Sequence, residues 1–305
     1  MKNEPAVLCD LETGVCEIKG EKKKERDIIL SPPKNHPLKI AYFTDPICSA
    51  CWGLEPRLRK IELTYGDQIE VEYHMGGLLP KWNSLEGSDI NSPKELAAHW
   101  DEASEYYHMP INGDVWLEDP LDSSYPPSIA FKAAQLQGEE VARKFLRRLR
   151  EALFLEKRNI SRWEVMEEEA FKLGMDLTQL KDDYYHAGQM AFEKDLELTK
   201  RIGVRGFPTL FFVNEDGEEE FVFGVRPFPH YDKIIRRLAP GIQSVGSYKS
   251  PLELLNSYGS LTAKELSALL DLTLHEAIQH LELLEEEHKT EVLNSKNGRL
   301  WKSLR

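Results

Sequence analysis

Three shortages in the sequence each remove a class of protein. Cysteine is scarce, with four in 305 residues, too few for a secreted domain built on a disulfide framework. Positive charge is in deficit. Lys and Arg number 39 against 52 Asp and Glu, a net charge of −13, so nucleic acid and anionic membrane surfaces are repelled at long range and neither is expected as a partner. Long apolar runs are missing, and nothing approaches the roughly 18 unbroken apolar residues of a membrane helix. The amino terminus carries Glu4 and Asp10 where a secretory signal has a cationic start and an apolar run, so a cytoplasmic protein is expected. A hydrophobic share of 41 % beside 30 % charged residues fits a soluble globular chain, long enough for two or three domains.

What is present begins to organise after Pro37. Residues 1–37 show little apolar periodicity, a basic run at Lys22, Lys23, Lys24 and Arg26, and prolines at 32, 33 and 37, which predicts an extension tied down locally at most. Leu38 to Phe43 reads as a strand that leads through Asp45 and Pro46 into a helix with apolar positions Leu54, Leu58, Ile61 and Tyr65. Ile69, Val71, Tyr73 and Met75 alternate with polar neighbours as a second strand, ended by Gly76 and Gly77. Capping boxes at Ser92/Glu95 and Ser161/Glu164 open helices within a helical block over residues 92–188. A helix near Gln189 to Ile202, strands at Thr209 to Val213 and Phe221 to Phe223, and a helix at Tyr231 to Leu238 complete a βαβ, helical block, αββα order. Pro240, Gly241, Gly246 and Pro251 mark a boundary. Beyond it, capping boxes at Ser250/Glu253, Thr262/Glu265 and Thr273/Glu276 predict three helices, and Asn297-Gly298 predicts a hairpin. Three helices with a hairpin form a winged-helix-like pattern.

The cysteines fall into two close pairs, Cys9 with Cys16 and Cys48 with Cys51. Disulfide exchange needs one thiol whose ionisation is favoured and a second within reach to resolve the mixed disulfide. A C-x-x-C after a strand and at the start of a helix supplies both, since the unpaired amides of the first turn favour a thiolate at Cys48. Half of a zinc site, completed by Cys9 and Cys16, and incidental core cysteines are the competing readings. Gly206, Phe207 and Pro208 precede an apolar strand. A cis bond at Pro208 would turn the Phe207 backbone toward the cysteines, where an extended substrate could pair; an ordinary strand-start proline is the plainer alternative.

DPICSACWGLEP at 45–56, MGGLLP at 75–80, DSSYPPSIAFKAAQLQG at 122–138 and GVRGFPTLFFVN at 203–214 together resemble the DsbA-like family, above all its cytoplasmic FrnE-like branch of dithiol-disulfide isomerases. The resemblance covers residues 38–240 and implies an α/β chain, a thioredoxin fold over 38–91 and 189–240 with a helical insertion at 92–188; the winged-helix-like domain at 245–305, read from its caps and hairpin, lies beyond it. It implies that Cys48 is the nucleophile, Cys51 the resolving thiol, and Phe207 and Pro208 the substrate-binding cis-proline segment. The expected function is an enzyme, a thiol-disulfide oxidoreductase or isomerase acting on protein thiol and disulfide substrates, fed by glutathione or a thioredoxin-type donor, with no cofactor and no metal. Cys9 and Cys16 read as an auxiliary redox pair, a zinc site or two inert thiols being the alternatives. Two positions depart from the family. Ser49 and Ala50 stand where DsbA has a histidine and thioredoxin a proline, and Tyr42 stands where those proteins carry a buried carboxylate, a part that Asp45 either takes over or leaves, shaping only the turn.

A rival class rests on other residues. The DsbA-like segment, Asn159 and Ile160, and the tail Leu300, Trp301, Lys302, Ser303 and Leu304 also look like the adaptors of Gram-positive bacteria that deliver the regulator Spx to the ClpXP protease. A DNA-binding regulator is disfavoured by Glu276, Glu282, Glu285, Glu286 and Glu287 in the helix that would face phosphate. Trp52 either walls the site or fills core, the commoner place for an aromatic. Asp101, Glu102 and Glu105 read as a solvated helical face.

Overall fold

The LKIAYFT segment is apolar at nearly every position because both of its faces are covered, the condition that turns alternation into a continuous run. A computed structural model describes residues 30–82, 92–245 and 249–304, and the backbone course of 7–10 and 15–18. The chain begins with two short strands, β1 (Val7–Asp10) and β2 (Val15–Ile18), then β3 (Leu38–Thr44), helix α1 (Ser49–Tyr65) and β4 (Ile69–Met75). A helical block follows: α2 (Pro93–Tyr107), α3 (Val115–Glu118), α4 (Tyr125–Gln135), α5 (Glu139–Phe154), α6 (Trp163–Lys172) and α7 (Leu177–Tyr185). Next come α8 (Ala187–Ile202), β5 (Gly206–Phe207), β6 (Thr209–Asn214), β7 (Glu219–Phe223) and α9 (Phe228–Leu238). The carboxyl-terminal part holds α10 (Pro251–Tyr258), β8 (Ser260–Thr262), α11 (Ala263–Leu270), α12 (Leu274–Glu286), β9 (Thr290–Ser295) and β10 (Gly298–Ser303).

The main sheet runs β4-β3-β6-β7, with β3 parallel to β4 and antiparallel to β6. Leu38, Ile40 and Tyr42 of β3 join Leu54, Ile61 and Tyr65 of α1 and Tyr231, Ile234 and Ile235 of α9 in one core. The alternate residues Ala41 and Phe43 face the other way, into a larger core built with the helical block. The carboxyl-terminal part has a core of its own, Leu254, Leu261, Leu266, Leu281 and Trp301 among its members, and a sheet ordered β8-β10-β9. All three capping boxes expected there are made, and β9 and β10 form the Asn297-Gly298 hairpin.

That part is clamped to the rest by buried charge. Glu265 at the start of α11 takes both ends of the Arg147 guanidinium at 2.8 and 3.0 Å and lies 3.1 Å from Arg59. Arg59 also donates to the Ser260 carbonyl at 2.7 Å, and Ser260 donates to Glu151. Glu265, Glu151 and both arginines are buried.

Three local expectations are corrected. The extension before Pro37 is not tied down only locally: β2 pairs with β1 and also with β5, more than 180 residues away, because β5 offers an unpaired strand edge; the Lys22 to Arg26 run lies outside the described residues. Ser161 does not cap a helix. Its amide and hydroxyl are both taken by the Asn159 side chain, and α6 starts later, after Arg162. The Asp101 face is not merely solvated, since Asp101 accepts from Lys296 at 2.6 Å and from Asn297 at 2.7 Å and so holds the β9–β10 turn.

Candidate functional site

Cys48 sits where β3 has ended and α1 has not yet begun, and its extended backbone makes it the helix N-cap. Its Sγ accepts the Cys51 amide at 3.1 Å, as a serine or aspartate would at that position. The same sulfur donates to the Phe207 carbonyl at 3.6 Å, across 159 residues of sequence. The Phe207–Pro208 bond is cis. Both cysteines are free thiols and both are fully buried, at 0 % exposure.

The turn before Cys48 is held by Asp45. Its carboxylate accepts from the Ile47 amide at 3.0 Å, the Leu78 amide at 2.7 Å and the Ser124 hydroxyl at 2.7 Å. One buried side chain thus joins three of the sequence motifs: the cysteine turn, MGGLLP and SYPPS. Ser124 strengthens the join by exchanging hydrogen bonds with Leu79 at 2.8 and 3.1 Å. Of the two roles open to Asp45, the geometry shows the turn-shaping one. Burial pushes the Asp45 carboxyl up to about 6, against the pull of the Leu78 and Ile47 amides, Ser124 and Arg150.

Gly76 is small for a visible reason. A Cβ there would lie 1.9 Å from the Phe207 ring. Replacing Gly76 by Ala therefore displaces Phe207 and costs about 1–3 kcal/mol by overpacking; thermal unfolding checks the cost, and an unchanged midpoint would show that the ring has room to move.

Arg150 lies beneath the cysteines and was not foreseen. Its guanidinium donates to Thr44 Oγ1 at 2.7 Å and to the Asp45 carbonyl at 3.2 Å, and pairs with Glu55. The signal available in sequence is its spacing: Leu146, Leu149 and Leu153 lie on one apolar face of α5, and Arg150, four residues after Leu146 and three before Leu153, falls on that same face. Arg147 stacks on Trp52 at 4.3 Å, and Trp52 donates to the Pro110 carbonyl at 3.0 Å, so Trp52 is core.

Burial acts on both thiols of the pair. Burial, together with the hydrogen bond to Cys51 and the charge that Cys51 can carry, pushes the Cys48 thiol well up. At Cys51 burial acts in the same upward sense but is outweighed by the Cys48 hydrogen bond and Arg150, and the thiol is held below its ordinary value. At Cys48 one first-turn amide reaches the sulfur while burial removes its water, so the two influences oppose each other there. Cys9 and Cys16 are placed by backbone alone, opposite each other in the β1–β2 pair. No cluster of possible metal ligands occurs among the described residues.

A four-stranded sheet with its first helix opening on C-x-x-C, a cis-proline segment against the first cysteine, and helices inserted between the two halves define a thioredoxin-fold protein of the DsbA-like kind. The family model described as Thioredoxin matches residues 42–234. Among solved structures, a putative protein disulfide isomerase from Nitrosomonas europaea is similar with a TM-score of 0.56 and 18 % identity, over 67 % of this chain and 96 % of that one. The cytosolic disulfide reductase DsbM from Pseudomonas aeruginosa gives 0.54 and 22 %, over 66 % and 100 %. At those identities the likeness shows the fold. Similarity along the whole length points elsewhere: the ClpXP adapter protein SpxH of Halalkalibacterium halodurans is 34 % identical over 99 % of both chains, and that of Bacillus subtilis is 32 % identical over 88 % of this chain and 90 % of its own. The chain belongs to the thioredoxin family and, within it, to the family of these SpxH proteins.

The expectation of an enzyme, a catalytic thiol-disulfide oxidoreductase or isomerase, is overturned by those relatives, which are named as adapters across essentially the full chain. Protein partners are in keeping with that name; thiol substrates and a glutathione or thioredoxin-type donor are not implied by it. Among the described residues no helix is long and apolar enough to cross a membrane.

Proposed function

We propose that this chain is an adaptor that delivers a client protein to a ClpXP-type protease, with the thioredoxin fold serving as a docking surface. The observation that carries the reading is the 34 % identity over 99 % of both chains to a protein named for that role. The site supports it by what it does with its thiols. Cys48 and Cys51 are buried and spent on capping and packing, an arrangement suited to holding a surface in shape. The ion-pair clamp between α5 and α11 supports it further, because an adaptor that bridges two partners needs its parts held in a fixed relation.

The test is degradation of the regulator Spx by purified ClpXP with and without this protein. Delivery should raise the rate by about tenfold or more at client concentrations below saturation, and Cys48→Ser/Cys51→Ser should retain that effect, since delivery uses the surface and not the thiols. A rate indifferent to the protein would sink the reading, and so would an effect that vanishes with the two sulfur atoms in a variant that folds normally.

A further inference from the structure

The strand edge beside Cys48 is occupied by the chain itself. β2 runs antiparallel to β5 with Cys16 opposite Phe207 and Glu17 opposite Gly206, and it also lies against α1. Phe207 is the residue whose carbonyl takes the Cys48 thiol. A two-residue edge of this kind offers main-chain groups to any extended segment, whatever its side chains, and here β2 takes the place. The thiols beside it are fully buried.

The same strands place the other cysteine pair. Cys9 stands directly opposite Cys16 in the β1–β2 register. Opposed positions in an antiparallel pair hold their Cβ atoms about 4.5–5.5 Å apart, a span that a disulfide closes with a small local shift. The strand that fills the edge is therefore the strand that a cross-link would fasten.

We infer that β1 and β2 form a strap over the edge beside Cys48, and that a Cys9–Cys16 disulfide locks it there. The bond forms by exchange with a small disulfide oxidant such as oxidised glutathione. One protein thiolate attacks a sulfur of the oxidant and releases one glutathione thiol; the second protein thiol then displaces the other, so two protein thiols are oxidised and one disulfide is reduced to two thiols. Locked, the two strands stay aligned for pairing with β5, because the cross-link removes freedom that they would gain on release. Reduced, the strap opens more readily and yields the edge to an extended segment of a partner protein. Access to the edge is measured without any client, so the inference stands or falls apart from the adaptor role.

The first arm labels the reduced full-length protein with N-ethylmaleimide and follows Cys48 by peptide mass. Glu17→Pro puts a fixed φ and no N–H into β2, and neither suits an antiparallel ladder. Cys48 should label about tenfold faster in that variant, the factor expected for one or two lost main-chain hydrogen bonds; equal rates in a normally folded variant overturn the strap. The second arm uses Cys48→Ser/Cys51→Ser, in which oxidised glutathione can reach Cys9 and Cys16 alone. The expected product is two hydrogens lighter than the reduced chain, and amide exchange at Gly206 and Phe207 should slow by about tenfold on oxidation. Stable glutathione adducts, or exchange that ignores the oxidant, overturn the lock. Cys9→Ser/Cys16→Ser, which leaves β2 able to pair, should abolish the response to oxidant, and a response that persists overturns the assignment to this pair.

Discussion

Glu265→Ala is expected to lower the unfolding free energy by about 3–5 kcal/mol, the cost of leaving a buried charge without its partner. The carboxylate has three tasks. It takes two hydrogen bonds from Arg147 at 2.8 and 3.0 Å, pairs with Arg59 at 3.1 Å, and closes the α11 capping box by accepting the Thr262 amide at 2.8 Å. Without it, Arg147 and Arg59 are left facing each other at the seam between α1, α5 and α11, with Glu151 and Glu55 as their remaining acids. Glu265→Gln keeps the shape and one acceptor for the cap, so it should fall between wild type and alanine. Denaturant unfolding followed by tryptophan fluorescence reports the change, because Trp301 lies in the core that Glu265 fastens. A loss below about 1 kcal/mol for alanine would show that water reaches the seam and screens the pair.

Between pH 4 and pH 7, Asp45 should reduce stability by up to about 3 kcal/mol as the pH rises, a slope absent from Asp45→Asn. The sign follows from proton counts. In the unfolded chain the carboxyl ionises near its ordinary value of 3.8, whereas in the folded protein burial pushes it up to about 6. Between those values the folded state holds more protons than the unfolded one, so the contribution is full below the lower value and is lost through the upper one. Glu151 behaves in the opposite sense: burial is outweighed by Arg147, Arg148 and Ser260, which hold its carboxyl down at about 2, so its contribution is present above the ordinary glutamate value and lost as pH falls toward the folded one. The two windows barely overlap. The difference in unfolding free energy between wild type and Asp45→Asn, measured across the range, isolates Asp45; a difference independent of pH would mean that its carboxyl ionises as it does in water.

Much of this protein follows from local chemistry and is legible in the sequence. The continuous apolar run from Leu38 to Phe43 marked β3 as a strand covered on both faces, and the capping boxes that open α2, α10, α11 and α12 were readable because each is closed within four residues. Ser161 misled because an equally local competitor, Asn159, took its amide first. Function was read less well. The C-x-x-C at Cys48 and Cys51 pointed to an enzyme, while the likeness to adaptors rested on shorter stretches whose meaning emerged from similarity along the whole chain.

Local sequence was enough for the order of elements and for the place of the first cysteine at a helix start, since periodicity and caps act over a few residues. The surroundings of the site depend on long-range packing. Arg150 comes beneath Cys51 from 99 positions away, Phe207 reaches Cys48 across 159, and Glu265 meets Arg147 across 118. Burial took both thiols out of water, and β2 closed an edge that looked open. The physical reason is the same in each case: desolvation and ion pairing depend on which distant groups exclude the water, and no spacing along the chain encodes that.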